Sequence, residues 1–279
     1  MDRITNYLTI DVEEHFQVSA FEKTVAVADW DNHKSRVVKN TSQILSLLES
    51  FEVKATFFIV GWVAERHPDL VRTIQKQGHE IGCHSYAHRK VYDLTPVQFK
   101  EDTYRAKAIL EDTTGVKVRG YRAPSYSITK KSLWALDILA ELNFEYDSSI
   151  FPVYHDNYGI PDAPRFPYTL PDSGLTEYPI STALLFGRKI PISGGGYFRL
   201  FPYGFTRRGL RSINEQENQP FIFYLHPWEI DPGQPRLLNA SLLSRFRHYN
   251  NLTKTLRRFE QLLIDFDFGA ISTQYNTSS

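Results

Sequence analysis

Residues 79–88 read HEIGCHSYAH. His79 to Cys83 has the character of a short buried strand, and His84 and His88 follow at its C-terminal end. On one turn of helix a four-residue spacing puts both imidazoles on the same face, close enough to grip one metal ion. Two imidazoles leave a divalent ion short of ligands, and a carboxylate commonly completes such a site. The first acidic cluster of the chain, Asp11-Val12-Glu13-Glu14, also closes an apolar run. If these two stretches meet, the fold must bring strand ends together.

Outward from that stretch, strands and helices alternate. Strands are expected at Tyr7 to Val12, Lys54 to Val60, Val116 to Tyr121, Phe144 to Asp147, Leu175 to Ile180, Pro220 to Leu225 and Gly269 to Ser272. Helices are expected from Thr41 as N-cap to Phe51, at Trp62 to Arg66, from Pro68 to a stop at Gly78, and from Thr95-Pro96 to Gly115. Further helices are expected after Thr129, around Phe205 to Gln216, and from Asn251 to Phe266. Residues 14–38 and 151–174 read as loops, and SGGGYFRLFP (193–202) as a glycine-rich turn. This order predicts an α/β fold with a parallel sheet or barrel. Asp11, Glu13, His84, His88, Arg122, Asp147 and His226 all fall just past strand C-termini, the end that carries the active site in barrel enzymes.

Composition narrows the classes. The 279 residues suit one large domain or two modest ones. The 32 basic and 32 acidic residues cancel, so no broad field for nucleic acid is implied. Aromatics reach 14 %, enough to fill a large core or to line a carbohydrate groove. The one cysteine, Cys83, excludes an intramolecular disulfide and reads as a buried inert thiol. Neither a signal peptide nor a membrane-spanning run is visible, so a cytoplasmic protein is expected. Four Asn-x-Ser/Thr sequons (Asn40, Asn239, Asn251, Asn276) carry no meaning without a secretory route.

Two His and one carboxylate leave open positions for water and substrate on Zn²⁺ or another divalent ion. Asp11 and Glu13 flank Val12, so in extended chain they point the same way. One could bind metal while the other takes a proton from water. Arg122 is a candidate to keep such a base ionised. His226 is a candidate general acid, and Asp147 a candidate to hold its ring.

Together these residues resemble the NodB-homology polysaccharide deacetylases, carbohydrate esterase family 4. The first motif of that family, usually TFDD, is matched by Thr9-Ile10-Asp11-Val12-Glu13. Its H[ST]xxH motif is matched by His84-Ser85-Tyr86-Ala87-His88. Arg122-Ala123-Pro124-Ser125 follows its RxPY-like motif, with Tyr126 displaced by one. Asp147-Ser148-Ser149 follows its Asp-Ser-Trp-like motif in part, and Leu225-His226 its Leu-His motif. Val12 stands where the common pattern has its metal-binding Asp. The D-x-[DE] spacing resembles a branch holding certain cell-wall deacetylases and allantoinase-like enzymes.

The resemblance implies a distorted (β/α)7-type barrel in a single domain over 1–279. Its core would span about 7–226, with an extension 227–279 packed on the barrel. It implies Asp11 as base, Glu13, His84 and His88 as ligands of Zn²⁺ (or Co²⁺, Ni²⁺ or Mn²⁺), and Glu14 facing away. His226 would be the acid, with Arg122 and Asp147 in support, and a backbone N–H near Tyr126 would face the oxyanion. Tyr126, Gly195, Tyr197, Arg199 and Trp228 are the expected substrate contacts, with Gly194 to Gly196 forming a loop over the sugar. GGGYFRLFP and FYLHPWEIDPGQPR resemble deacetylases encoded with bacterial exopolysaccharide and exosortase systems. That implies an N-acetylated glycan, free or lipid-linked at a membrane surface. A cyclic-amide hydrolase and an inactive carbohydrate-binding protein are the alternatives.

Overall fold

The computed structural model describes residues 3–156 and 158–273, so the sequon at Asn276 lies outside the described residues. Among the described residues there are eleven strands: β1 (Thr5–Val12), β2 (Thr56–Ile59), β3 (Glu80–Cys83), β4 (Gly120–Tyr121), β5 (Tyr146–Asp147), β6 (Tyr168–Thr169), β7 (Thr176–Glu177), β8 (Thr182–Leu185), β9 (Arg188–Pro191), β10 (Ile222–Leu225) and β11 (Asp267–Gly269). The main sheet runs β10-β1-β2-β3-β4-β5-β7-β6, with β11 also paired to β1. Every pairing in it is parallel except β6 with β7. β1, β2 and β10 are almost wholly buried, as strands covered on both faces must be, which is why they read as continuous apolar runs.

The sheet curls into an incomplete barrel, an α/β fold of a single domain. Its open side lies between the edge strands β6 and β10, and the chain over 180–194 runs along the β10 edge. Ile180 N–H donates to Ile150 O (3.0 Å), Ile222 N–H to Ser181 Oγ (2.8 Å) and Tyr224 N–H to Ser193 O (2.9 Å). Residues 227–279, expected to pack on the barrel, also enter the sheet through β11.

The helices are α1 (Val37–Ser50), α2 (Gly61–Arg66), α3 (Pro68–Lys76), α4 (Pro96–Thr114), α5 (Trp134–Glu141), α6 (Gly195–Leu200), α7 (Tyr203–Glu217), α8 (Leu242–Tyr249) and α9 (Leu252–Asp265). α4 has the signals its sequence advertises: a Thr95–Gln98 capping box and a left-handed Gly115 at its end. α1 differs. It starts at Val37, and Thr41, expected as its N-cap, is buried inside it. The cap comes from a distance, because the Glu14 carboxylate accepts from Arg36 N–H (3.0 and 3.1 Å) and Val37 N–H (3.2 Å). The carboxylate also sits at the positive end of the helix dipole.

Other expectations shift. β4 and β5 are shorter than their apolar runs suggest, and β7 covers only the middle of Leu175 to Ile180. The last strand ends at Gly269 instead of starting there. The β8–β9 hairpin and α8 were not anticipated. Phe186 and Gly187 both have positive φ (49° and 75°), the hairpin geometry that Asn-Gly ordinarily announces. The glycine run forms the start of α6 and not an open turn. A Cβ on Gly194 would lie 2.0 Å from Tyr224 O, and one on Gly195 2.5 Å from the Tyr224 ring, so the glycines let the chain press against β10. No helix among the described residues is long and apolar enough to cross a membrane.

Replacing Glu14 by Gln removes a buried charged acceptor from the α1 N-terminus and should cost about 1–3 kcal/mol in denaturant unfolding. An unchanged stability would mean that α1 does not need this cap.

Candidate active site

The C-terminal ends of β1, β3, β4 and β10 converge on a cavity of about 230 Å³ whose lining includes Asp11, Glu13, His84, His88, Tyr126 and His226. One ligand atom each from Glu13, His84 and His88 lie within 4.8 Å of one another. The histidines do not ride on a helix, as their spacing suggested. They sit on an irregular turn in which Ser85 (φ 60°) and His88 (φ 49°) are left-handed. The Asp102 carboxylate on α4 accepts from Tyr86 N–H (2.7 Å) and Ala87 N–H (3.2 Å), and Ser85 Oγ accepts from His88 N–H (3.0 Å). These bonds replace a helical ladder and hold the ring centroids 5.1 Å apart.

Each imidazole is oriented by a carbonyl. His84 Nδ1–H donates to Arg122 O (2.7 Å) and His88 Nδ1–H to Gln17 O (2.9 Å), since a carbonyl can only accept. Both Nε2 atoms are then left to face Glu13. Burial pushes the His84 pKa down to about 4, so this ring is neutral at pH 7. Glu13 Oε2 is buried without a hydrogen-bond donor and faces His88 Nε2 at 2.5 Å. Two electron pairs at that separation need a proton or a cation between them, so this donor set fits a divalent ion. Glu13 Oε1 accepts from the Trp228 indole N–H (2.9 Å). Burial alone would raise the Glu13 pKa, but His88 and His226 together hold it far below the usual carboxylate range. Glu14 points the other way, into the α1 N-terminus.

Asp11 Oδ1 accepts from Arg122 Nη1 (2.7 Å), and the guanidinium is fully buried over the Phe58 ring. On the other side His226 Nε2 lies 3.8 Å from Asp11 Oδ2 and 3.6 Å from Glu13 Oε1. Burial opposes the charged form of His226, but Glu13, Glu229 and Asp11 outweigh it and raise its pKa to about 9. The ring is an imidazolium at neutral pH and can give up a proton.

Several expected residues have other partners. Asp147 does not hold the His226 ring; Glu229 does, accepting from Nδ1–H at 2.9 Å. Asp147 sits across the barrel beside Glu177, accepts from Ser149 Oγ (2.6 Å), and burial raises both carboxyl pKa values. Arg199, expected over the sugar, is buried and donates to Glu229 (2.6 Å) and His248 O (2.7 Å). It stands behind Glu229, which stands behind His226. Tyr126 N–H, expected to face an oxyanion, donates to Ala123 O (3.1 Å), while the Tyr126 side chain lines the cavity. Gly195 supports Tyr224, and Tyr197 OH is bonded to Tyr158 OH (3.0 Å). Trp228 is stacked between His226 and His248. Glu229, Asp102 and His248 were missed. Glu229 was legible as the fourth residue of His226-Pro-Trp-Glu, three positions after the histidine. Cys83 is buried and its thiol is pushed up by burial, which makes it inert.

The curled α/β barrel has the NodB-like fold seen in carbohydrate esterase 4 structures. Residues 19–146 match the polysaccharide deacetylase family model, and residues 148–276 match a domain of unknown function, DUF3473. The chain therefore carries a polysaccharide deacetylase domain, and the DUF3473 segment completes its sheet. It is 33 % identical over 98 residues to a peptidoglycan-N-acetylglucosamine deacetylase of Bacillus cereus, covering 35 % of this chain and 36 % of that one. A Mycobacterium smegmatis structure assigned as a polysaccharide deacetylase superposes with TM-score 0.61 at 20 % identity, over 99 % of this chain and 93 % of that one. A carbohydrate esterase 4 family pseudoenzyme from Bacillus anthracis has TM-score 0.50 at 16 % identity, over 98 % and 65 %. These likenesses carry the fold alone, and activity has to be argued from the site. The alignments cover between 16 % and 46 % of the length of the curated relatives.

Two measurements test this geometry. Glu13→Gln and His84→Ala should each weaken Zn²⁺ binding more than about 100-fold by calorimetry, while Glu14→Gln leaves it unchanged. Equal losses in Glu13→Gln and Glu14→Gln would contradict the assignment. In the metal-free protein the His226 ring should titrate near pH 9 by NMR. Its folded pKa is raised, so its stabilising contribution is complete below the unfolded value of about 6.5 and is lost as pH rises through 9. Glu229→Gln should move that titration down.

Proposed function

We propose that the chain hydrolyses the acetamide of an N-acetylated amino sugar, releasing acetate and leaving a free amine. The observation that carries this reading is one cavity holding three different groups: a carboxylate bonded to a buried arginine, a three-ligand group for a divalent ion, and an imidazolium. Glu13, His84 and His88 are the residues that would hold the ion, taken here as Zn²⁺. Such an ion supplies Lewis acidity toward the acetyl carbonyl and lowers the pKa of water.

The rest is done by side chains of the chain. Asp11 takes a proton from the water that attacks the carbonyl carbon, and the Arg122 contact fixes the position of its carboxyl group. The C–N bond breaks as His226 Nε2 gives its proton to the departing nitrogen, and acetate leaves. Glu229 and Arg199 orient the imidazolium and stabilise its charge. Tyr126 and Tyr158 line the cavity and supply aromatic surface for a sugar ring, while Trp228 contributes only its edge. Resemblance of the C-terminal stretch supports a glycan of exopolysaccharide or cell-envelope synthesis, free or lipid-linked, as the substrate.

Acetate release from N-acetylglucosamine oligomers by zinc-loaded protein tests the reading. Asp11→Asn should lower kcat by roughly 10²–10⁴-fold with zinc binding retained. Ring opening of a cyclic amide without acetate release from any glycan would replace this reading with a cyclic-amide hydrolase.

A further inference from the structure

The catalytic cavity opens into a wider groove of about 770 Å³. Ser19, Ser125, Tyr158 and Tyr224 line both spaces, so a chain-like substrate can run from one into the other. One wall is a rigid aromatic face: Tyr158 stacks on His155 (3.8 Å between centroids, 6° between planes) and is bonded to Tyr197.

The charges in this groove are unbalanced. Its one carboxylate, Glu22, is taken by Lys90 at 2.9 Å. Among the described residues, Lys23 and Arg247 have no carboxylate partner. The chain as a whole has equal numbers of acids and bases, so a general basicity does not account for the excess. Arg247, on the exposed side of α8, lines both the catalytic cavity and the groove. Burial lowers the His155 pKa, and the Arg247 charge acts in the same direction, as a cation facing the aromatic wall should. A neutral oligosaccharide has no use for two unpaired cations along its path, whereas a carboxylate or phosphate is bound by the planar fork of an arginine through two parallel bonds.

We propose that this groove is an anion subsite that selects N-acetylated glycans carrying a carboxylate or phosphate near the acetamido sugar, with Arg247 as the principal contact and Lys23 as the second. The proposal names the substrate class for the deacetylase reading and rests on it. The test compares three N-acetylated oligosaccharides of equal length: neutral, uronate-bearing and phosphodiester-bearing. Arg247→Gln should raise KM for the anionic glycans about tenfold at unchanged kcat and leave the neutral one unmoved. Raising salt to about 0.5 M should mimic the substitution by screening. The arm that responds identifies uronate or phosphate as the source. Equal efficiency on all three glycans, or an equal loss on all three in Arg247→Gln, would overturn the proposal.

Calorimetry with fully deacetylated versions of the same glycans separates the two readings, because it needs no turnover. Tighter binding of the anionic glycans, lost in Arg247→Gln, upholds the subsite even if no acetate is released from any substrate. Acetate release without that binding preference upholds the deacetylase and removes the subsite.

Discussion

A single buried guanidinium organises the catalytic end of the barrel. Arg122 has no exposed surface, and a buried charge is tolerated only when it is paired and hydrogen-bonded. Nη1 is bonded to Thr9 and Asp11 of β1, while Nε and Nη2 are bonded to Ser148 O and Oγ just past β5. Satisfying one side chain therefore draws the ends of β1, β4 and β5 to a common point. The Arg122 carbonyl meanwhile takes the His84 Nδ1 proton and so sets which nitrogen of that ring is free. The placements of Asp11 and of the Glu13-His84-His88 group are not independent, because both depend on Arg122.

The opposite wall is built the same way. Arg199 and His226, both cationic, flank the buried Glu229 carboxylate, and the indole of Trp228 reaches from the same short turn to Glu13. The ligand group and Arg122 lie in or before the polysaccharide deacetylase match, while His226, Glu229 and Arg199 all lie in the DUF3473 match. Neither segment holds the site alone. β1 joins them by pairing with β2 on one side and with β10 and β11 on the other.

Much of the fold was legible because buried parallel strands are continuous apolar runs and α4 carries its own start and stop signals. Short strands were overextended, because β4 and β5 pair over only two residues although the apolar run around them is longer. The β8–β9 hairpin was missed because its turn is Phe186-Gly187, without the usual Asn. The start of α1 was misplaced because its cap is a carboxylate more than twenty residues earlier in the chain.

By itself the sequence determined the alternation of strands and helices and the polar residues just past several strand ends, since both follow from local periodicity. Extended-chain alternation favoured Glu13 over Glu14 without deciding between them, and packing turns Glu14 away onto the start of α1. Only the tertiary structure decided which carboxylate holds the His226 ring. Asp147 and Glu229 both follow strands and both are acids, but Asp147 lies across the barrel beside Glu177 while Glu229 turns back onto His226. The same holds for Arg199, whose place behind Glu229 depends on α6 being pressed against β10 through two glycines. Partnerships between side chains far apart in the chain are set by how the elements pack, and no local pattern encodes them.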